Sequence, residues 1–139
     1  MGGTIVCGVG ETEGRAAAEL AAAVGARLGL RLVLVSVVEG APGEAGDRLL
    51  ELAREIGDGA ETRIAHGPRA EALARIAAEE GADLIVVGSR AAGLGERKLR
   101  STLARELEAA TPVPVLVAPP STRKRSERRL AVAAAALER

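Results

Sequence analysis

The sequence predicts an α/β fold, in which a single doubly wound, five-stranded parallel sheet carries helices on both faces. Two observations carry this prediction. Short aliphatic runs alternate along the whole chain with longer segments of helical periodicity, which is the pattern of repeated strand–helix–strand units. The runs are apolar at almost every residue, as in strands that are covered on both faces. Right-handed crossovers then join the strands into one parallel sheet.

Five segments have the composition of buried strands, bounded by glycine, proline or polar residues. The third is the weakest, because polar residues interrupt it. The predicted strands are residues 4–9, 31–38, 60–65, 83–87 and 113–118. Pro119 and Pro120 follow the fifth strand and end the compact domain, because proline cannot continue a strand ladder.

The first two helices are predicted from apolar stripes. The first helix runs from Thr12 to about Leu28, with Leu20, Val24 and Leu28 on one stripe, and Gly29 ends it. After the second strand, residues 39–46 contain three glycines and one proline, which indicates a loop. A second helix then runs to about residue 56. Its predicted inward side chains are Leu49, Leu52, Ala53 and Ile56.

The third and fourth helices follow the same logic. Pro68 is predicted at the first helical position, where its missing N–H is tolerated, and the helix continues to Glu80 before Gly81 closes it. Its predicted inward side chains are Leu73, Ile76 and Ala77. The fourth helix is predicted over residues 102–110, entered through a Ser-Thr pair.

Composition disfavours nucleic acid as a partner and gives no sign of secretion or of a membrane span. The chain has 139 residues and no Phe, Tyr or Trp, so no ring is available to stack on a nucleic-acid base. Residues 1–120 carry 13 basic and 17 acidic residues, so the predicted domain is acidic, which also disfavours nucleic acid. No secretory leader or membrane span is evident, and the single cysteine, Cys7, is expected to be a buried thiol. We therefore expect a cytoplasmic protein.

Residues 121–139 form a separate C-terminal extension. It carries six basic and two acidic residues, with a basic cluster from Arg123 to Arg129 and an alanine-rich segment of good helix propensity. Disorder or a loosely held helix is one interpretation. Docking onto the acidic domain or onto a partner subunit is the other.

The segment after the fourth strand has the features of an anion site. Gly88 and Ser89 follow the aliphatic run, and a glycine-bearing loop leads to the predicted helix entry, where free backbone N–H groups and the helix dipole favour phosphate. Four cations lie in this stretch, and they either bind phosphate or form a solvated surface. They are Arg90, Arg97, Lys98 and Arg100.

If the first strand is central, the sheet has its switch point between the loops after strands one and four. These loops would face each other across one crevice, where doubly wound sheets bind ligands.

Several segments resemble the universal stress protein family in order and spacing. They are Ile5-Val-Cys-Gly-Val-Gly-Glu-Thr12, Arg31-Leu-Val-Leu-Val-Ser-Val-Val-Glu39, His66-Gly-Pro-Arg-Ala-Glu-Ala-Leu73, Gly81-Ala-Asp-Leu-Ile-Val-Val-Gly-Ser-Arg90 and Thr111-Pro-Val-Pro-Val-Leu-Val-Ala118. The resemblance implies strand order 3-2-1-4-5 and homodimers paired through the strand from Val113 to Ala118. It also implies, in one branch of the family, ATP held in the crevice.

The motif of the ATP-binding branch is only partly kept. That branch has Gly-x-x-Gly, nine residues, then Gly-Ser or Gly-Thr. Here Gly88 matches the first glycine and Thr102 the hydroxyl position, whereas Ala91 and Ser101 replace the other two glycines. Gly10 stands where the family has aspartate. Gly93 and Gly95 offer an alternative source of loop flexibility.

We therefore predict a dimeric binding or regulatory module whose nucleotide crevice is degenerate, with no certain cofactor and an unidentified regulatory partner. The alternative is a functional ATP-binding switch that uses the loop from Gly88 to Thr102. An ATP-cleaving enzyme of the wider superfamily is a third possibility, but it lacks the expected pyrophosphate loop after strand one. The predicted nucleotide-binding residues are Val9, Gly10, Thr12, Val37, Gly88, Arg90, Ala91, Ser101 and Thr102.

Other polar residues give weaker signals. His66 is interpreted as a surface loop residue, without a second metal ligand at helical spacing, so no metal site is predicted. Ser36 is interpreted as an ordinary strand residue. Glu79 and Glu80 are expected to be solvated rather than catalytic, and no nucleophile elbow or P-loop is present, which predicts a protein that is not an enzyme.

Overall fold

The computed structural model describes residues 3–10, 14–38, 43–57, 59–88 and 96–118, with the backbone alone for residues 96–102. The C-terminal extension and the diproline lie outside the described residues, so the predicted domain boundary stays a prediction. None of the helices in these ranges is long and apolar enough to cross a membrane.

Five parallel strands form one sheet, and four helices connect them. The strands are β1 (Thr4–Gly8), β2 (Arg31–Val38), β3 (Glu61–His66), β4 (Leu84–Gly88) and β5 (Val115–Ala118). The helices are α1 (Arg15–Leu28), α2 (Ala45–Ile56), α3 (Arg69–Glu80) and α4 (Glu96–Ala110). The strand order is β3-β2-β1-β4-β5, which confirms both the predicted fold class and the predicted order.

The alternation of side chains along the strands builds two cores, one on each face of the sheet. On one face, α1 and α2 cover residues such as Ile5, Leu34 and Val86. On the other face, α3 and α4 cover Val6 and Ile85 together with their neighbours. Because most inward positions of the central strands are aliphatic, burial on both faces agrees with the sequence pattern.

Helix α1 contacts the sheet through small residues rather than through its leucines. Its buried residues are Ala17, Ala18, Ala21 and Gly25, and a Cβ at Gly25 would lie only 3.1 Å from the carbonyl oxygen of Leu30. The predicted stripe was wrong at Leu28, which is 66% exposed. Leu20 and Val24 are only partly buried at the margin of this core. The helix therefore lies close to the sheet, where a larger side chain would not fit.

In the next two helices, the residues predicted to face inward are buried or partly buried. In α2, Leu49 and Ala53 are buried, while Leu52 and Ile56 are partly buried against the same core. In α3, all three predicted residues are buried: Leu73, Ile76 and Ala77.

The observed helix ends agree in part with those predicted from the sequence. Gly29 and Gly81 adopt left-handed conformations at φ 68° and φ 64°, as predicted for residues that end α1 and α3. Pro68 is the N-cap of α3 and not its first helical residue. The loop predicted to reach residue 46 was too long, because α2 begins at Ala45.

Ion pairs link β2, β3 and α3 at the amino-terminal edge of the sheet. The carboxylate of Glu80 accepts hydrogen bonds from Nη2 of Arg31 at 2.7 Å and from Nη1 of Arg63 at 3.0 Å. Arg31 also pairs with Glu61, and Arg63 pairs with Glu79 at 2.8 Å. The guanidinium groups, Arg31 foremost, lower the pKa of Glu80. Glu79 is exposed, as expected, and both Glu79 and Glu80 also form ion pairs, because β2 and β3 bring two arginines to the end of α3.

Cys7 lies in the middle of β1 and is fully buried, as predicted. Burial raises the pKa of its thiol to about 12, because the interior disfavours the thiolate. The thiol therefore stays protonated and unreactive in the folded protein.

Candidate functional site

The carboxyl ends of β1 and β4 lie side by side at the switch point of the sheet. The two strands pair in parallel, with Gly8 opposite Val87. From here the sheet grows in both directions, through β2 and β3 on one side and through β5 on the other. Doubly wound sheets bind ligands at such a switch point. The structure therefore has its switch point at the predicted place.

Four of the predicted site residues lie at this edge. Val9 and Gly10 follow β1, and the backbone N–H of Val9 donates to the carbonyl of Val35 at 2.8 Å, which ties the segment to β2. Val37 is the next-to-last residue of β2, and Gly88 ends β4 opposite Ala118 of β5. None of the four carries an ionisable side chain, so only backbone groups and apolar surface are available from them.

The remaining predicted residues are not all where the sequence suggested. Thr12, Arg90 and Ala91 lie outside the described residues. Ser101 and Thr102 belong to α4, but α4 begins at Glu96, six residues before the predicted entry. Their side chains are not part of the description.

The early start of α4 changes which backbone groups are free at its N-terminus. Only the first residues of a helix have N–H groups without an intrahelical acceptor, and these now belong to the turn that begins at Glu96. Thr102 lies in the second turn, so the prediction that it enters the helix was wrong. Three of the four cations, Arg97, Lys98 and Arg100, likewise lie in α4 and not in a loop. The run of strong helix formers from Glu96 to Arg100 explains the difference.

His66 is the last residue of β3 and is exposed. It was predicted in a loop, so its surface position is confirmed while its element is not. Its backbone carbonyl accepts a hydrogen bond from Arg75 at 3.3 Å. Within the described residues, no three His, Cys, Asp or Glu side chains come together in a group able to hold a metal ion.

A small cavity lies beside the crevice, on the face of the sheet that α1 and α2 cover. Its volume is about 120 Å³. Its polar lining includes the hydroxyl of Ser36 and the side chain of Arg48, neither of which the sequence singled out as functional. The full lining is Val9, Gly10, Gly14, Ser36, Ala45, Arg48, Leu49 and Leu52.

Only one of these two residues had a signal in the sequence. Ser36 shares the parity of Leu32 and Leu34, so it is a polar residue at an inward position of an aliphatic strand. Arg48 sits among other charged residues of an amphipathic helix, and nothing in its spacing distinguishes it.

Comparison with known proteins gives a consistent result. The sequence profile described as "Universal stress protein family" matches residues 41–119. None of the curated proteins matches the chain in sequence.

Several solved structures share the fold. A universal stress protein in complex with cAMP is 25% identical, with 85% of this chain and 98% of that chain covered and a TM-score of 0.65. A universal stress protein from Archaeoglobus fulgidus is 20% identical, with coverages of 85% and 99% and a TM-score of 0.70. A protein of the same family from Burkholderia pseudomallei is 26% identical, with coverages of 84% and 96% and a TM-score of 0.62.

Proposed function

Because this chain belongs to the universal stress protein family, we propose that it is a dimeric binding or regulatory module whose nucleotide crevice has weakened affinity for ATP. The observation that carries the proposal is Gly10, which lies two residues beyond the end of β1 at the switch point and has no side chain to offer a ligand. The family resemblance places an aspartate at this position. A regulatory partner would then respond to the surface of the protein or to weak occupancy of the crevice.

The effect on ligand binding of having no carboxylate at residue 10 can be estimated. A hydrogen bond that a ligand donates to a charged carboxylate contributes roughly 1.5–3 kcal/mol, so its absence weakens binding by about one to two powers of ten. The backbone around Gly10 is nevertheless held in place, because the N–H of Val9 is bonded to Val35. The crevice therefore keeps its framework and lacks one anchoring group.

An adenine nucleotide is the class of ligand that we propose for the weakened crevice. The universal stress protein in complex with cAMP, at 25% identity, supports this class. The free N–H groups at the start of α4 suit the phosphates. With Gly10 unable to anchor the nucleoside end, phosphate contacts provide most of the remaining affinity.

We propose no catalytic activity for this crevice. Val9, Gly10, Val37 and Gly88 supply no acid, base or nucleophile, which catalysis of hydrolysis or transfer would require. Cys7 is near in sequence, but its thiol is buried and protonated. His66 lies two strands away, at the end of β3. These placements support a binding role.

Restoring the carboxylate tests the proposed crevice. The variant Gly10→Asp is expected to bind ATP at least about tenfold more tightly, equivalent to roughly 1.4 kcal/mol, because the new side chain anchors the nucleoside end. In the unmodified protein, affinity measured by calorimetry for ATP, GTP and inorganic triphosphate should depend more on the phosphates than on the base.

The matched control is Ala78→Asp, which adds the same charge at an exposed position near the end of α3, away from the crevice. It should leave ATP affinity within about twofold. Strong preference of the unmodified protein for ATP over GTP and triphosphate would contradict a weakened site and favour the ATP-binding switch.

We further propose that the dimer forms through β5. Within the described residues β5 pairs with β4 alone, so its outer side is a sheet edge there. Leu116 is 37% exposed there, and Val115 and Val117 are only partly buried. An apolar edge strand is prone to pair with another chain, and a second copy of β5 is a self-complementary occupant.

Light scattering at micromolar concentration is expected to give twice the mass of the chain. The variant Leu116→Lys should shift the protein toward monomer, because it places a charge on the proposed interface. Leu50→Lys, at a leucine of α2 that is 45% exposed, is the control and should remain dimeric. A monomer mass for the unmodified protein would overturn the proposed interface.

A further inference from the structure

The cavity between β1, β2, α1 and α2 is a second candidate site, which adjoins the crevice between β1 and β4 and shares Val9 and Gly10 with it. We propose that it binds a phosphate group, either as inorganic phosphate or at the end of a small phosphate monoester. The proposal does not depend on nucleotide binding in the crevice. It stands on three features of the cavity wall: an unpartnered buried hydroxyl, an unpaired guanidinium, and the starts of two helices.

The hydroxyl belongs to Ser36. The residue is 6% exposed, and its side chain lines the cavity on the α1 and α2 face of β2. Among the residues that the structure describes, no hydrogen bond satisfies this hydroxyl; the other buried polar residue, Thr4, accepts a bond from Arg31. Buried hydroxyls in folded proteins almost always have a partner. A ligand in the cavity would supply the missing one.

The guanidinium belongs to Arg48, in the first turns of α2. Three other arginines, Arg15, Arg31 and Arg63, pair with carboxylates. Arg48 has no such partner in the described part of the chain, although Glu44 and Asp47 are close in sequence. An arginine that lines a cavity without a carboxylate is suited to bidentate binding of an oxyanion.

The N-termini of two helices add backbone N–H groups, which favour an anion as the guanidinium does. Gly14 precedes α1 and Ala45 begins α2, and both residues line the cavity. Neither helix has a side-chain hydrogen bond at its N-cap, so capping side chains do not occupy the free N–H groups of these first turns. The positive ends of both helix dipoles therefore favour an anion here. The acidic residue of the α2 first turn, Asp47, is exposed and does not line the cavity.

Size and lining decide what kind of anion fits. A volume of about 120 Å³ has room for a phosphate group. Val9, Leu49 and Leu52 form the apolar part of the wall, whereas Arg48 is exposed to solvent.

Titration of the full-length protein with inorganic phosphate, followed by amide NMR and calorimetry, tests the proposal. We expect the amide signals of Gly10, Gly14, Ser36 and Arg48 to shift together. The variant Arg48→Gln should weaken phosphate binding at least tenfold, and Ser36→Ala should weaken it several-fold. The control Arg54→Gln, an exposed arginine of α2 that does not line the cavity, should change the affinity by less than twofold.

Comparison with a small phosphate monoester and with ATP distinguishes the possible sources of the phosphate. If the monoester binds more tightly than inorganic phosphate and Arg48→Gln removes both, the monoester is the better ligand of the same site. Retention of ATP binding by Arg48→Gln would support two separate sites. Joint loss of ATP and phosphate binding would show that the cavity is part of the nucleotide crevice and would overturn the proposal.

Two further results would overturn it. One is phosphate affinity that Arg48→Gln leaves unchanged, and the other is a set of shifts confined to Gly88 and α4. If no variant binds ATP, the proposed nucleotide crevice is contradicted. Phosphate binding that Arg48→Gln abolishes would still support the cavity as a phosphate site.

Discussion

The variant Ile85→Ala is expected to lower the free energy of unfolding by about 2–5 kcal/mol. Ile85 is fully buried in β4, next to β1 and β5, with Val6 and Val115 as its register partners. Truncation would remove apolar contacts and leave a cavity at the centre of one core, where strands on both sides limit relaxation. Because folded domains are stable by only about 5–15 kcal/mol, this is a large share of the total.

Urea unfolding followed by far-UV circular dichroism measures this effect, since the chain has no aromatic residue for fluorescence. All variants should be compared at one protein concentration, because association would add to apparent stability. The conservative Ile85→Val should cost about 0.5–1.5 kcal/mol. The exposed His66→Ala should stay within about 0.5 kcal/mol, and equal losses for His66→Ala and Ile85→Ala would contradict the assignment of the core.

The variant Ala21→Leu is expected to destabilise the protein by about 1–3 kcal/mol or more, although leucine favours helices almost as well as alanine. Ala21 is fully buried where α1 packs on the sheet, within the core that contains Ile5 and Val86. The added atoms would force α1 away from the strands or displace neighbouring side chains. Thermal and urea unfolding should both report the loss.

Ala23→Leu is the matched control, because Ala23 lies two residues further along the same helix and is exposed. Its effect should remain within about 0.5 kcal/mol. Similar destabilisation by Ala21→Leu and Ala23→Leu would mean that the small residues of α1 do not set its distance from the sheet.

The fold could be predicted from the sequence because four of its five strands are mainly aliphatic and helices α1 and α3 end at Gly29 and Gly81. The side chains that α1 buries could not be predicted from the sequence. Periodicity gives weight to large apolar residues and pointed to Leu28, whereas close packing against a sheet selects alanine and glycine. The predicted start of α4 was wrong for a different reason. Ser101 and Thr102 have the residue types of a helix cap, but the preceding helix formers extend the helix back to Glu96.

The candidate site was predictable only where it follows from topology. Strand order places the ends of β1 and β4 together, so Gly10 and Gly88 could be assigned to one edge before any coordinates were known. Arg48 could not be found in this way. Its significance depends on which carboxylates it fails to reach, and that is a property of three-dimensional arrangement that the order of residues in α2 does not reveal.

The ion pairs of Glu80 lie at the amino edge of the sheet, whereas Gly10, Gly88 and Arg48 lie at the carboxyl edge, roughly 15 Å away along the strands. Because Gly10 and Arg48 belong neither to those ion pairs nor to either core, a substitution of their side chains leaves the ion pairs in place and removes no core side chain. Evolution can then exchange ligand-binding groups there without loss of folding. Relatives that keep this fold at 20–26% identity are consistent with such freedom. A lineage can lose one ligand, pass through a state that binds weakly, and acquire another.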